Sequence, residues 1–137
     1  MIRILLVEDN VIVRRVVKEL IALEDTFLVV GTAESGQIAL EMLRNGLLVD
    51  VVVTDLDMPG MSGIELTQEI LNLSGTLKVI ILTMHDKQLF LLQALAAGAA
   101  GYLLKNGDMD ELYTSIKAVF NGGIAIGRGV QPPDLSL

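Results

Sequence analysis

The chain has 137 residues, 52% of them apolar, and 10 Lys and Arg against 17 Asp and Glu give a net charge of −7. That balance argues against nonspecific binding to a nucleic-acid backbone, which needs clustered cations, and the length fits one domain. With no Cys and one His, a disulfide scaffold and a zinc site of the usual kind are both excluded.

The first apolar run, Ile2–Val7, ends at Glu8-Asp9 without a signal-peptide cleavage site. Val11–Leu23 follows with helical spacing, placing Ile12, Val16, Leu20 and Leu23 on one side, with Asp9 or Asn10 as N-cap. A second run, Phe27–Val30, precedes a helix over Ser35–Arg44 that stops at Asn45-Gly46. The third run, Val51–Val53, precedes a helix over Gly63–Leu73, and the fourth, Val79–Leu82, precedes one over Lys87–Ala97. A fifth run, Ala99–Leu104, leads to a helix over Asp108–Asn121, which starts with acids and stops at Gly122-Gly123. The longest nearly apolar stretch, Leu89–Leu104, is interrupted by Gln93, Gly98 and Gly101 and falls short of the ~20 residues that span a bilayer. A soluble, cytoplasmic chain with no membrane partner and no direct nucleic-acid binding is expected.

The runs are apolar at successive positions, as in a parallel sheet covered on both faces. Five strand–helix repeats predict an α/β fold in three α/β/α layers: a doubly wound, five-stranded parallel sheet of flavodoxin-like order 2-1-3-4-5. Residues 1–123 form the predicted domain, and 124–137, with Gly127, Gly129 and Pro132-Pro133, read as a linker or disordered tail.

Polar residues stand where the strands stop: Glu8-Asp9 after the first, Asp55 after the third, Thr83 at the fourth and Lys105 after the fifth. Ligands of open α/β sheets bind at those carboxyl ends, and the predicted order makes these strands neighbours. Two like charges about 4 Å apart repel by about 4 kcal/mol at an effective dielectric near 20. Three gathered carboxylates therefore require cations. Lys105 supplies one, and a hard divalent ion, Mg²⁺, is expected to supply the rest.

Glu8-Asp9, Asp55-Leu56-Asp57-Met58-Pro59-Gly60-Met61-Ser62-Gly63, Thr83, and Tyr102 three residues before Lys105 together resemble a response-regulator receiver domain of the CheY type. Leu82–Asp86 and Ala97–Lys105 are similar to the NarL/FixJ (LuxR-type) transcriptional regulators, and the likeness runs from Met1 to about Gly123. It implies a two-component signalling domain rather than an enzyme with turnover. Asp55 would accept a phosphoryl group from a sensor histidine kinase, and Glu8, Asp9, Asp55 and the backbone carbonyl of Asp57 would bind Mg²⁺. Lys105 and Thr83 would contact the phosphoryl oxygens. Tyr102 would turn inward as Thr83 moves, coupling the pocket to the face of helix four, strand five and helix five. That resemblance also implies a DNA-binding, transcription-regulating output domain outside this chain. Many receivers place Pro after the conserved lysine with a cis bond between them. Asn106 follows here, and a cis bond before a non-proline costs ~3 kcal/mol, so Gly107 is the expected turning residue. Asp57 should face the site entrance and govern access of water to the phosphoryl group.

The fourth helix is apolar nearly all round, whereas packing on a sheet needs a stripe of ~100°. Leu89, Leu92 and Ala96 are therefore expected to face outward as a partner surface for a second receiver, giving a homodimer, or for an output domain. Pro59 is read as a loop-shaping residue, His85 as a partly exposed loop residue and the scattered Met as core fillers. Two alternatives remain. Val51–Asp57 also resembles the apolar-strand Asp-x-Asp motif of haloacid-dehalogenase-type phosphatases, though that motif belongs on a first strand with further acids downstream. A stand-alone receiver acting through protein–protein contacts is the other. A nucleotide or flavin module lacks its glycine-rich loop.

Overall fold

Residues 1–130 are described by the computed structural model. Six strands, β1 (Ile2–Val7), β2 (Phe27–Ala33), β3 (Val51–Thr54), β4 (Lys78–Thr83), β5 (Gly101–Leu104) and β6 (Ala125–Ile126), alternate with five helices. The helices are α1 (Val11–Ala22), α2 (Gly36–Arg44), α3 (Gly63–Leu73), α4 (Gln88–Ala96) and α5 (Met109–Phe120). All strand pairs are parallel, in the order β2-β1-β3-β4-β5-β6. The predicted flavodoxin-like order is present, extended by one short strand.

Strand residues divide between the two faces by alternation, although each run is apolar throughout. Ile4, Leu6, Val51, Val53, Ile80 and Leu103 pack on one side with Ile21 of α1 and Leu112, Ile116 and Val119 of α5. Leu5, Val7, Val52 and Val79 pack on the other with Ala39 and Leu40 of α2 and Leu66 and Ile70 of α3. Ile81 and Tyr102 continue that second face beneath Leu91 and Ala94 of α4. At the amino end of the sheet, the Arg3 guanidinium donates to both carboxylate oxygens of Asp50, at 3.1 and 3.0 Å. That pair holds the Asp50 carboxyl below its usual range and fixes the register of β1 beside β3.

Two expectations need correction. On α1, Ile12, Val16 and Leu23 do not face the core; they are 72%, 48% and 73% exposed, and Leu20 is only partly buried. Ile21 and Val17 pack inward instead. The helix carries a second apolar stripe one position later, and its phase is set at its amino end. There Asn10 caps the amides of Ile12 and Val13, and Arg14 donates to the Glu8 carbonyl at 2.8 Å. Ile12, Val16 and Leu20 line an open groove of about 470 Å³ with Met84 and Met109.

The second correction concerns the stretch after Gly123, read as linker or disordered tail. Over its described part the chain adds β6 to the sheet edge: Ala125 N donates to Ala100 O at 2.9 Å and Gly127 N to Tyr102 O at 2.8 Å. Val130 is buried against the cluster around Tyr102. A two-residue strand has no hydrophobic period and pairs through its backbone alone, satisfying groups that an edge leaves open. Pro132-Pro133, within residues 131–137, lies outside the described residues. Every peptide bond among the described residues is trans, Lys105–Asn106 included, and Gly107 N closes the turn onto Leu104 O at 3.0 Å.

The two stripes of α1 give a direct contrast in urea unfolding. Ile21→Ala, at a fully buried side chain, is expected to cost about 2–5 kcal/mol, and Ile12→Glu no more than about 0.5 kcal/mol. Equal losses would contradict the observed phase of the helix.

Candidate functional site

Parallel strands point their carboxyl ends the same way, so the residues that follow β1, β3, β4 and β5 meet at one edge of the sheet. Glu8 and Asp9 follow β1, and Asp55 follows β3, where its amide donates to Val7 O at 3.0 Å. Carboxylate oxygens of Glu8, Asp9 and Asp55 all lie within 4.8 Å of one another. Between them sits the Lys105 ammonium, 2.5 Å from Glu8 Oε1 and 3.2 Å from Asp55 Oδ2.

Each carboxylate is oriented by more than this ion. The amide of Leu56 donates to Asp55 Oδ1 at 2.8 Å, leaving Oδ2 toward Lys105. Asn10 N donates to Glu8 Oε2 at 3.2 Å. Glu8 and Asp55 are buried, whereas Asp9 is exposed. Burial pushes the Glu8 carboxyl up, and the bonds from Lys105 and the Asn10 amide only partly oppose it. Burial alone would lower Lys105; its bond to Glu8 and the Asp55 charge outweigh that and raise it, so the ammonium stays charged. Three formal negative charges against one positive leave the pocket acidic, and its side-chain donors are all hard oxygens, a set suited to Mg²⁺ or a similar divalent ion.

The floor of the pocket is fixed by a close backbone approach. Ser62 caps α3 by accepting from Glu65 N, and Gly63 N donates to Leu56 O at 2.7 Å. This packs α3 so tightly under the acidic loop that a Cβ on Gly63 would stand 2.1 Å from Asp55 O. Only glycine fits there without moving the backbone that carries Asp55.

Thr83, at the end of β4, is buried, and its hydroxyl oxygen accepts the His85 amide at 3.2 Å. Its own proton is left to donate. Tyr102 lies inward, fully buried, with its hydroxyl donating to His85 O at 2.7 Å. Burial, with the charges of Asp57 and Asp86, pushes the phenol up to about 12, so it remains a donor. The Asp57 carboxylate is exposed and accepts a hydrogen bond from His85 Nε2. That contact was not foreseen. Its only signal in the sequence is positional: Asp57 lies two residues past Asp55 and His85 two past Thr83, in the loops that follow adjacent strands. Leu89, Leu92 and Ala96 of α4 all face outward, with Leu89 61% and Leu92 44% exposed.

Residues 4–117 match the response regulator receiver domain family. The transcriptional regulatory protein DegU of Brevibacillus brevis is 35% identical over 91% of this chain and 52% of its own length. The response regulator UvrY of Escherichia coli K12 is 36% identical over 89% of this chain and 56% of its own. The chain thus spans about half the length of the curated relatives it matches. A crystal structure of a LuxR-family two-component response regulator from Aurantimonas sp. SI85-9A1 superposes with a TM-score of 0.89. It is 38% identical, covering 93% of this chain and 91% of that one.

Gly63→Ala is expected to destabilise by about 1–3 kcal/mol, because the atom it meets is backbone. Gly75→Ala, where an added Cβ meets nothing within 4 Å, should change stability by no more than about 0.5 kcal/mol. Urea unfolding of both variants checks this, and a neutral Gly63→Ala would contradict the tight approach under Asp55.

Proposed function

Since the chain belongs to the response regulator receiver domain family, a family of signalling domains rather than turnover enzymes, we propose that Asp55 is its phosphoacceptor. The donor is a phosphohistidine on a sensor kinase. The observation that carries this reading is the Asp55 carboxylate, held by the Leu56 amide with Oδ2 3.2 Å from the Lys105 ammonium, among two further acids.

A carboxylate needs no general base to act as nucleophile; it needs alignment and neutralisation of the transferring group. Asp55 Oδ2 attacks phosphorus, the P–N bond to the donor imidazole breaks, and the imidazole keeps the electron pair and takes a proton. Lys105 then pairs with one phosphoryl oxygen, and the Thr83 hydroxyl, whose proton is uncommitted, donates to another. Glu8, Asp9, Asp55 and the carbonyl of Asp57 would hold Mg²⁺, which when bound neutralises charge on the phosphoryl oxygens.

Drawing Thr83 toward the phosphoryl group loosens its bond to the His85 amide and so alters the loop leading into α4. The outward Leu89, Leu92 and Ala96 of α4 then form the partner surface, with β5 and α5, for a second receiver or an output domain. By analogy with the regulators it resembles, that output is DNA-binding control of transcription in the cytoplasm. A phosphatase reading of Asp55-Leu56-Asp57 is disfavoured because the motif follows the third strand rather than the first.

Incubation with Mg²⁺ and a small-molecule phosphodonor is expected to place one acyl phosphate on the wild-type chain and none on Asp55→Asn. Equal labelling of the two, or multiple turnovers on phosphate esters, would overturn the assignment.

A further inference from the structure

The amide, the carbonyl, the ring face and Nε2 of His85 each go to a different part of the fold. Its amide donates to Thr83 Oγ1, and its carbonyl accepts the Tyr102 hydroxyl at 2.7 Å. Its ring lies on Phe90 of α4, with centroids 4.4 Å apart and planes 32° from parallel. Its Nε2 donates to the Asp57 carboxylate. An ionised carboxylate only accepts, so this last bond fixes the proton on Nε2. Side chain and backbone of one loop residue thus tie the loop after β3 to the end of β4, to β5 and to α4.

We propose that the Asp57–His85 pair is a latch that holds Tyr102 inward. The link is mechanical. Among the described residues the Tyr102 hydroxyl has one hydrogen-bond partner, the His85 carbonyl, and that carbonyl lies on a loop rather than in a strand or helix. Its position depends on what anchors residue 85. The His85 amide bond to Thr83 spans only two residues, so it curls the loop without tying it to the rest of the fold. Phe90 supports the ring from one face. The bond to Asp57 crosses 28 positions in sequence to a loop braced against α3 through Gly63, and it is the fixed end. Asp57 therefore acts on Tyr102 through His85, as a positioning residue, and not by touching it. The buried, fully protonated phenol supplies the same donor whatever the latch does.

The consequence bears on the switch proposed above and rests on that reading for its meaning: the latch keeps the inward arrangement of Tyr102 populated before phosphoryl transfer. Breaking it makes that arrangement depend on the phosphoryl group, so the change between the two states grows.

Incorporation of 3-fluorotyrosine tests the latch without any phosphorylation. The chain has two tyrosines, and Tyr113→Phe assigns their fluorine signals. In the wild-type chain Tyr102 should show almost no solvent-isotope shift. In His85→Ala, which removes the donor, and in Asp57→Ala, which removes the acceptor and keeps the backbone, that shift should rise toward that of free tyrosine. The double variant should equal His85→Ala, because both changes cut one link, and His85→Gln, whose amide can still donate to Asp57, should restore much of the wild-type signal. An unmoved Tyr113 signal reports an intact fold. A Tyr102 signal unchanged in both single variants, or additive effects in the double, would overturn the latch. Beryllofluoride with Mg²⁺ should return Tyr102 to its buried signal in the latch variants. Failure of that step with the first result intact would count against the Asp55 switch instead.

Discussion

Three carboxylates converge at the carboxyl edge of the sheet because the strands that carry them are parallel neighbours, and one ammonium keeps them there. Lys105 reaches Glu8 and Asp55 at once, so the ends of β1, β3 and β5 are linked by charge as well as by the backbone ladder. Each close carboxylate pair costs about 4 kcal/mol at roughly 4 Å when the effective dielectric is about 20. One cation therefore cannot balance three anions. The remaining negative charge defines what the site can do: it favours a hard cation, and with one bound, a phosphoryl group. The same imbalance makes a bare Asp55 a poor target for an anionic donor.

Rigid backbone surrounds this charge. Gly63 lets α3 approach the Asp55 carbonyl, the Leu56 amide aims its carboxylate, and the Asn10 amide aims that of Glu8. The other side of the pocket is looser. There the chain runs from Thr83 through a loop into α4, and the loop is held by hydrogen bonds of Thr83, Tyr102 and Asp57 to His85. A site that is firm where an ion and a nucleophile must align, and adjustable where its state must be passed on, fits a switch better than a turnover catalyst.

The acidic site was legible in the sequence because its chemistry demands particular residue types at strand ends, and strands buried on both faces announce themselves as unbroken apolar runs. Thr83 and Lys105 could be placed for the same reason. The inward face of α1 could not, since Val11–Leu23 offers two overlapping apolar stripes and the choice between them is made by Asn10 and Arg14 at its amino end. The strand at Ala125–Ile126 left no pattern because its pairing is all backbone. His85 looked like any loop residue, since its partners Asp57, Tyr102 and Phe90 are assembled only by the fold. Helix α4 is the converse: too apolar to be explained by its own packing, it showed from composition alone that Leu89 and Leu92 would be left outside.

Calorimetric titration of Mg²⁺ into the wild-type chain and Asp9→Asn, without any phosphodonor, tests the shared acidic pocket most directly. The exposed Asp9 contributes little to the core, so the variant should remain folded. One ion is expected to bind the wild-type chain, with affinity at least about tenfold weaker in Asp9→Asn, a difference of about 1.4 kcal/mol. No binding to the wild-type chain, or equal binding to both, would contradict a single ion held in common by Glu8, Asp9 and Asp55.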